Sequence, residues 1–228
     1  MQKLIMPIDD AVCTAAYMNA DYKKEWGFNH YGLDVVSNCG NRIIKSPGVC
    51  TVYACGWDGI GSKQKCGNAV VLVFKGVQCN NGKTCDMSIR LFHLQEIYVK
   101  TGDILYPGDA IGEYGNTGDY TSGAHLHVEC DTDIATHKGE GARMSPSVTS
   151  NGNVILAGYA DTMLDPINVF YLDEGQTYRA RDTAFADEKD QHLPSLDTRE
   201  ILEAKIKELQ DKLDEIKVLA NKILDVIG

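Results

Sequence analysis

Between Tyr31 and Glu129 the chain repeats one pattern: short runs rich in β-branched and apolar residues, divided by glycine- and proline-rich turns. The runs are GLDVV, GVCTVYAC, NAVVLVF, SIRLFHL, DAIGEYG and HLHVEC, and the turns include SPG, CNNG, YPGD and GNTGD. Runs this short leave no room for helices of ordinary length, and their spacing is that of strands in an antiparallel sheet or sandwich. The polar, Ser/Gly-rich stretch 131–152 reads as a long loop, NVILAGYA as one more strand, and DPINVFY as the close of the domain near residue 172. The expected class is mainly β, with one domain over residues 1–172.

Residues 173–198 carry many charges and little apolar content, which reads as a linker. From about Arg199 the period changes. Leu202, Ile206, Leu209, Leu213, Ile216, Ala220, Ile223 and Ile227 alternate steps of four and three, the seam of a coiled coil. Asp197 or Thr198 can cap its start. Val218, Leu219, Leu224 and Val226 widen the apolar face in the second half, which favours three or more helices over two. The alternative is a single helix folded back on its own domain.

Charge narrows the partners. Acidic residues outnumber basic ones 18 to 13 up to residue 172 and 14 to 9 beyond it, within a formal net charge of −10. Neither part is a basic module for phosphate backbones, so nucleic acid is excluded as a partner. The longest strongly apolar run, AVVLVF at 69–74, is far too short to span a membrane. Pro7, Asp9 and Asp10 interrupt any apolar signal segment in the opening MQKLIMPIDD, so cytoplasmic synthesis without a signal peptide is expected.

None of the eight cysteines forms a C-x-x-C pair, which argues against a structural zinc knuckle. Cys79 and Cys85 bracket the turn-like NNGKT, and Cys55 and Cys66 bracket WDGIGSKQK. Either pair can face across a hairpin base and form a disulfide. The alternative is that all eight stay reduced as small core residues.

The chemistry lies in the histidines. NHYGLDVV sets His30 four residues before Asp34, RLFHL ends a strand with His93, and GAHLHVE places His125 and His127 on one face of another strand. Two imidazoles and a carboxylate can bind zinc with one position left for water, and two further imidazoles remain for proton transfer. His137, in the loop, and His192, in the linker, read as solvated residues.

This ordered set, H-x-x-x-D, then H-L at a strand end, then GNTG followed by H-L-H-x-E, resembles the M23 zinc metallopeptidases, the lysostaphin-type and LytM-like peptidoglycan endopeptidases. The resemblance runs from about Phe28 to about Phe170 and includes the glycine framework of VKTGDILYPGDAIGEYGNTG. It implies an M23 peptidase domain with His30, Asp34 and His127 as zinc ligands, and with His93 and His125 off the metal beside the scissile carbonyl as catalytic residues. DYTSGA is one residue longer than the common family spacing, and Ala124 stands where proline is frequent. Those departures bear on the groove wall. Tyr22, Trp26, Phe28 and Tyr114 are candidates for lining it.

The expected function is therefore zinc-dependent hydrolysis of peptide crosslinks or stem peptides in bacterial peptidoglycan. It would be a phage or prophage product, an endolysin or tail-associated lysin brought to the cell wall by virion or lysis. The terminal helix would make a homo-oligomer, trimer or higher, with phage tail proteins as possible partners. The competing expectation is a catalytically inactive M23-like binding, regulatory or assembly module.

Overall fold

In a computed structural model the described residues are 1–60, 63–132, 163–186 and 193–196, with 203, 206–207, 209–217 and 219–220 of the C-terminal stretch. Thirteen strands are defined: β1 (Leu4–Ile5), β2 (Ala11–Ala15), β3 (Leu33–Ser37), β4 (Ile43–Lys45), β5 (Cys50–Ile60), β6 (Lys63–Gln78), β7 (Thr84–Ile97), β8 (Ile104–Leu105), β9 (Ala110–Tyr114), β10 (Leu126–Asp131), β11 (Met163–Leu164), β12 (Phe170–Tyr171) and β13 (Tyr178–Ala180). Eleven belong to one sheet whose main path runs β13-β2-β3-β10-β7-β6-β5-β8, and β1 pairs with β12 apart from it. The antiparallel expectation needs correction. Most ladders are antiparallel, but β13 runs parallel to β2 and β1 parallel to β12, so the sheet is mixed.

The strands match the alternation read from the sequence. On β10, Leu126, Val128 and Cys130 point into the core beside Leu33 and Val35 of β3 and Ile89 and Leu91 of β7. The intervening His127, Glu129 and Asp131 share the other face with their cross-strand partners Asp34, Phe92, Arg90 and Ser88. The apolar face fixes the register, because a slip of one residue would turn the charged set into the apolar core and part each charged group from its cross-strand partner.

Two segments lie outside the strand-rich centre. Ala20–Trp26 forms a helix, α1, capped by Asn19 Oδ1 accepting from Tyr22 N and closed by Gly27 at φ +80°. The stretch read as a linker is partly built into the sheet. β13 pairs with β2, Leu193 is buried, and Leu196 N donates to Leu172 O, because apolar residues among its charges find the sheet edge. NVILAGYA, most of the 131–152 loop, His137 and His192, and the capping residues Asp197 and Thr198 lie outside the described residues.

All eight cysteines are free thiols. The Cys79 thiol touches Cys85, and burial together with that neighbour pushes it up to about 11. Cys55 and Cys66 do not face each other. The cross-strand partner of Cys55 is Val70, and the two thiols pack into separate apolar clusters. In the C-terminal stretch the described residues are helical, with Ile206, Leu209, Leu213 and Ile216 each more than half exposed. Lys212 Nζ lies 3.1 Å from the centroid of the Tyr106 ring.

Candidate metal centre

The three proposed ligands come from two adjacent strands and the turn before one of them. His127 on β10 pairs directly with Asp34 on β3, and His30 reaches back from the turn four residues earlier. Asp34 Oδ1 lies 2.7 Å from His127 Nδ1 and 3.0 Å from His30 Nε2, and the two ring nitrogens are 3.1 Å apart. Among the described residues this is the group of His, Cys, Asp and Glu side chains close enough to hold a metal ion. A tetrahedral zinc with ligand bonds of about 2.0–2.1 Å has ligand–ligand edges of about 3.3 Å. The triad's edges, 2.7–3.1 Å, are shorter than these, so the three groups would spread slightly around the ion, and the donor set of two imidazoles and one carboxylate suits zinc.

Neighbouring groups hold each ring in place. A carbonyl can only accept, so His30 Nδ1 donates to Ala16 O at 2.8 Å, leaving Nε2 for the metal side. Tyr22 stacks on that ring at 4.4 Å, and Phe185 meets Tyr22 edge-on. Ala16 N in turn donates to Phe185 O, so the chain following β13 braces the turn that orients His30. Gly32 lies against His127. A Cβ there would stand 2.6 Å from the imidazole, so only glycine lets the two strands close at this point.

His93 and His125 join the cluster from the other side, with ring centroids 4.8 Å apart. His93 sits where the pairing of β7 shifts register, and its φ of +66° is in the left-handed region. Such a bulge re-aims a side chain, and the strain is typical of functional positions. Its Nδ1 donates to Thr117 O at 2.9 Å. Gly67, at φ +68°, lets Thr117 pack against the strand, a contact that a Cβ would block. His125 Nδ1 donates to Gly123 O at 2.7 Å, and its Nε2 lies 3.5 Å from Asp34 Oδ1. All five residues singled out from the sequence therefore converge.

The electrostatics separate the histidines. Burial, reinforced by the neighbouring His127 and His125, holds His93 down at about 4, so it is neutral at ordinary pH. Burial also disfavours the His127 imidazolium, but hydrogen bonds to Asp34 and Glu129 outweigh it and push His127 up to about 10. Burial works against the Asp34 carboxylate too, yet the surrounding histidines hold it well below its usual range.

These directions set a stability profile for the metal-free protein. The His127 contribution is fully present below about 6.5 and is lost as pH rises through about 10. The His93 contribution is present above about 6.5 and is lost as pH falls towards 4. Asp34 contributes above its ordinary value of 3.8 and loses that below it. Thermal melting of chelator-treated protein should therefore peak near pH 6.5 and fall on both sides. A melting temperature that rises steadily from pH 7 to 10 would contradict the His127 assignment.

Several participants were not legible as such. Arg90 is fully buried, with Nη2 2.7 Å from Asp131 Oδ2 and Nη1 3.6 Å from Glu129 Oε2. It read as an ordinary strand residue, although a lone Arg between apolar neighbours in SIRLF is an available signal. Of the aromatic candidates, Tyr114 is corrected: it is 4% exposed and its hydroxyl accepts from Ser37 N inside the core. Phe28 and the half-exposed Tyr120 approach to 5.9 Å beside the site, and Trp26 is likewise about half exposed.

Comparison with known proteins identifies the family. The family model described as Peptidase family M23 matches residues 28–146, just over half of the chain. The glycyl-glycine endopeptidase ALE-1 of Staphylococcus capitis is 30% identical over 126 residues, covering 51% of this chain and 31% of that protein. Lysostaphin of Staphylococcus simulans is 29% identical over the same length, covering 51% of this chain and 22% of that protein. The match thus spans about a third or less of these relatives. A chain from the structure of the SpoIIQ–SpoIIIAH pore forming complex shares the fold, with a TM-score of 0.50 at 18% identity, covering 75% of this chain and 92% of that one. The mixed β-sheet and the segments beside it bring a His/Asp/His triad and two further histidines together as a candidate metal centre. The chain belongs to peptidase family M23.

Proposed function

We propose that this protein is a zinc-dependent endopeptidase acting on peptides of bacterial peptidoglycan. The observation that carries the reading is the convergence of His30, Asp34 and His127 on one point with His93 and His125 beside it. Zinc held by the triad would supply a Lewis acid for the carbonyl oxygen and bring a bound water to a pKa of about 7.

The protein's own groups account for the proton steps. His93 has committed its Nδ1 proton to the Thr117 carbonyl, so its Nε2 is left as an acceptor that can take a proton from water and return it to the leaving amine. His125, with Nδ1 also committed to a carbonyl, presents Nε2 towards the Asp34 side of the site. In its imidazolium form it would donate from there to the developing oxyanion. Presence of all five groups favours a working enzyme over an inactive binding module.

The relative named a glycyl-glycine endopeptidase makes glycyl bridges one candidate bond, and the family resemblance makes D-Ala to diamino acid crosslinks the other. Digestion of purified sacculi with either bridge type, read by mass spectrometry of released fragments, tests the activity and identifies the bond. Release of new amino termini supports the reading, and intact sacculi of every type with zinc-loaded protein would remove it.

The same reading gives the C-terminal helix an assembly role. Its exposed Ile206, Leu209, Leu213 and Ile216 lie on the heptad seam and suit packing against further copies, as in a lysin carried to the wall by a phage tail. Light scattering of the full chain should give three or more copies, falling to one when Leu209 and Leu213 are both replaced by Asp. A monomeric full-length protein would contradict this.

A further inference from the structure

Three of the four clustered histidines are oriented in one way. His30, His93 and His125 each donate Nδ1–H to a backbone carbonyl, those of Ala16, Thr117 and Gly123. His127 is the reverse. Its Nδ1 faces Asp34 and the metal position, and its Nε2 lies 3.3 Å from Glu129 Oε1. The ring stacked against this imidazole does not select that orientation. Phe92 stacks on it nearly parallel, at 8° and 5.5 Å, and a half-turn of the ring about χ2 keeps the same plane and the same stack. Such a turn would exchange Nδ1 and Nε2 for ring carbons. Glu129 is the group on the outer edge that tells the two orientations apart.

Glu129 is itself held. It follows His127 by two residues on β10 and so shares its face. Across the ladder it is paired with Arg90, whose guanidinium also grips Asp131. Arg90 and Asp131 are fully buried and Glu129 is 8% exposed, so this carboxylate has little freedom to swing away. We propose that Glu129, anchored by the buried Arg90–Asp131 pair, is a positioning residue that fixes the His127 ring with Nδ1 towards the metal. A carboxylate on the outer nitrogen of a metal-binding imidazole is a recurrent means of setting tautomer and ring angle. The inference rests on reading the triad as a zinc site.

The test compares Glu129→Met, which keeps bulk but loses the acceptor, with Glu129→Gln, which keeps an acceptor oxygen without the charge. Zinc affinity of the full chain is measured by competition with a chromophoric chelator. Melting of the metal-free variants reports their folding, and Co²⁺ absorption reports ligand geometry. Glu129→Met is expected to weaken zinc about 10–100-fold and alter the Co²⁺ spectrum, whereas Glu129→Gln stays within about threefold of the parent. Parent-like zinc affinity in Glu129→Met would overturn the positioning role alone. Equal losses in both variants would overturn it in favour of a merely structural one. A parent chain that binds no zinc would overturn the zinc reading and the inference together.

Discussion

Asp34→Ala is expected to abolish hydrolysis, lowering kcat/KM by about 10³-fold or more, and to remove bound zinc. Asp34 Oδ1 is the atom that both other ligand nitrogens approach, at 2.7 and 3.0 Å. Its loss leaves two imidazoles with no charge between them, too few and too weak a set for a catalytic zinc site. The fold should persist, because the hydroxyl of Thr14 bonds to the backbone oxygen of Asp34 and the β3–β10 ladder is made by main chain. Metal analysis, circular dichroism and a peptide-release assay on one preparation separate loss of chemistry from loss of structure. Retained turnover in a folded Asp34→Ala protein would remove the metallopeptidase reading.

Arg90→Met carries the largest expected cost in stability. The guanidinium is fully buried against Asp131 and Glu129, and its removal leaves both carboxylates in the interior without the cation that faces them across the ladder. Breaking a buried pair in this way costs about 3–5 kcal/mol. For a domain of this size that lowers the melting temperature by roughly 6–20 °C. Replacing Arg90 and Asp131 together should cost less than Arg90 alone, because one stranded charge goes with its partner. A melt of Arg90→Met within 2 °C or so of the parent would show that water reaches the carboxylates and that the network is not closed.

The site was legible where spacing alone decides geometry. The one-residue gap between His125 and His127 sends both to the same region, and H-x-x-x-D lets a residue in the turn before β3 fold back onto one within it. The alternation on β10 and β7 likewise gave the apolar face of the sheet. What escaped depends on partners far along the chain. Tyr178–Ala180 reads as charged linker until β2, more than 160 residues earlier, offers an edge to pair with. Tyr114 looks like a groove aromatic until Ser37 N meets its hydroxyl. The spacing of Cys55 and Cys66 fits a hairpin, but the actual register opposes Cys55 to Val70. Arg90 acquires its meaning only from Glu129 and Asp131 on the neighbouring strand.

Anomalous diffraction at the zinc edge from crystals of the zinc-loaded protein tests the central claim most directly. One peak per chain is predicted, bonded to His30 Nε2, Asp34 Oδ1 and His127 Nδ1, with a solvent or substrate atom in the fourth place. Zinc bound elsewhere, or a fourth protein side chain closing the coordination, would contradict it.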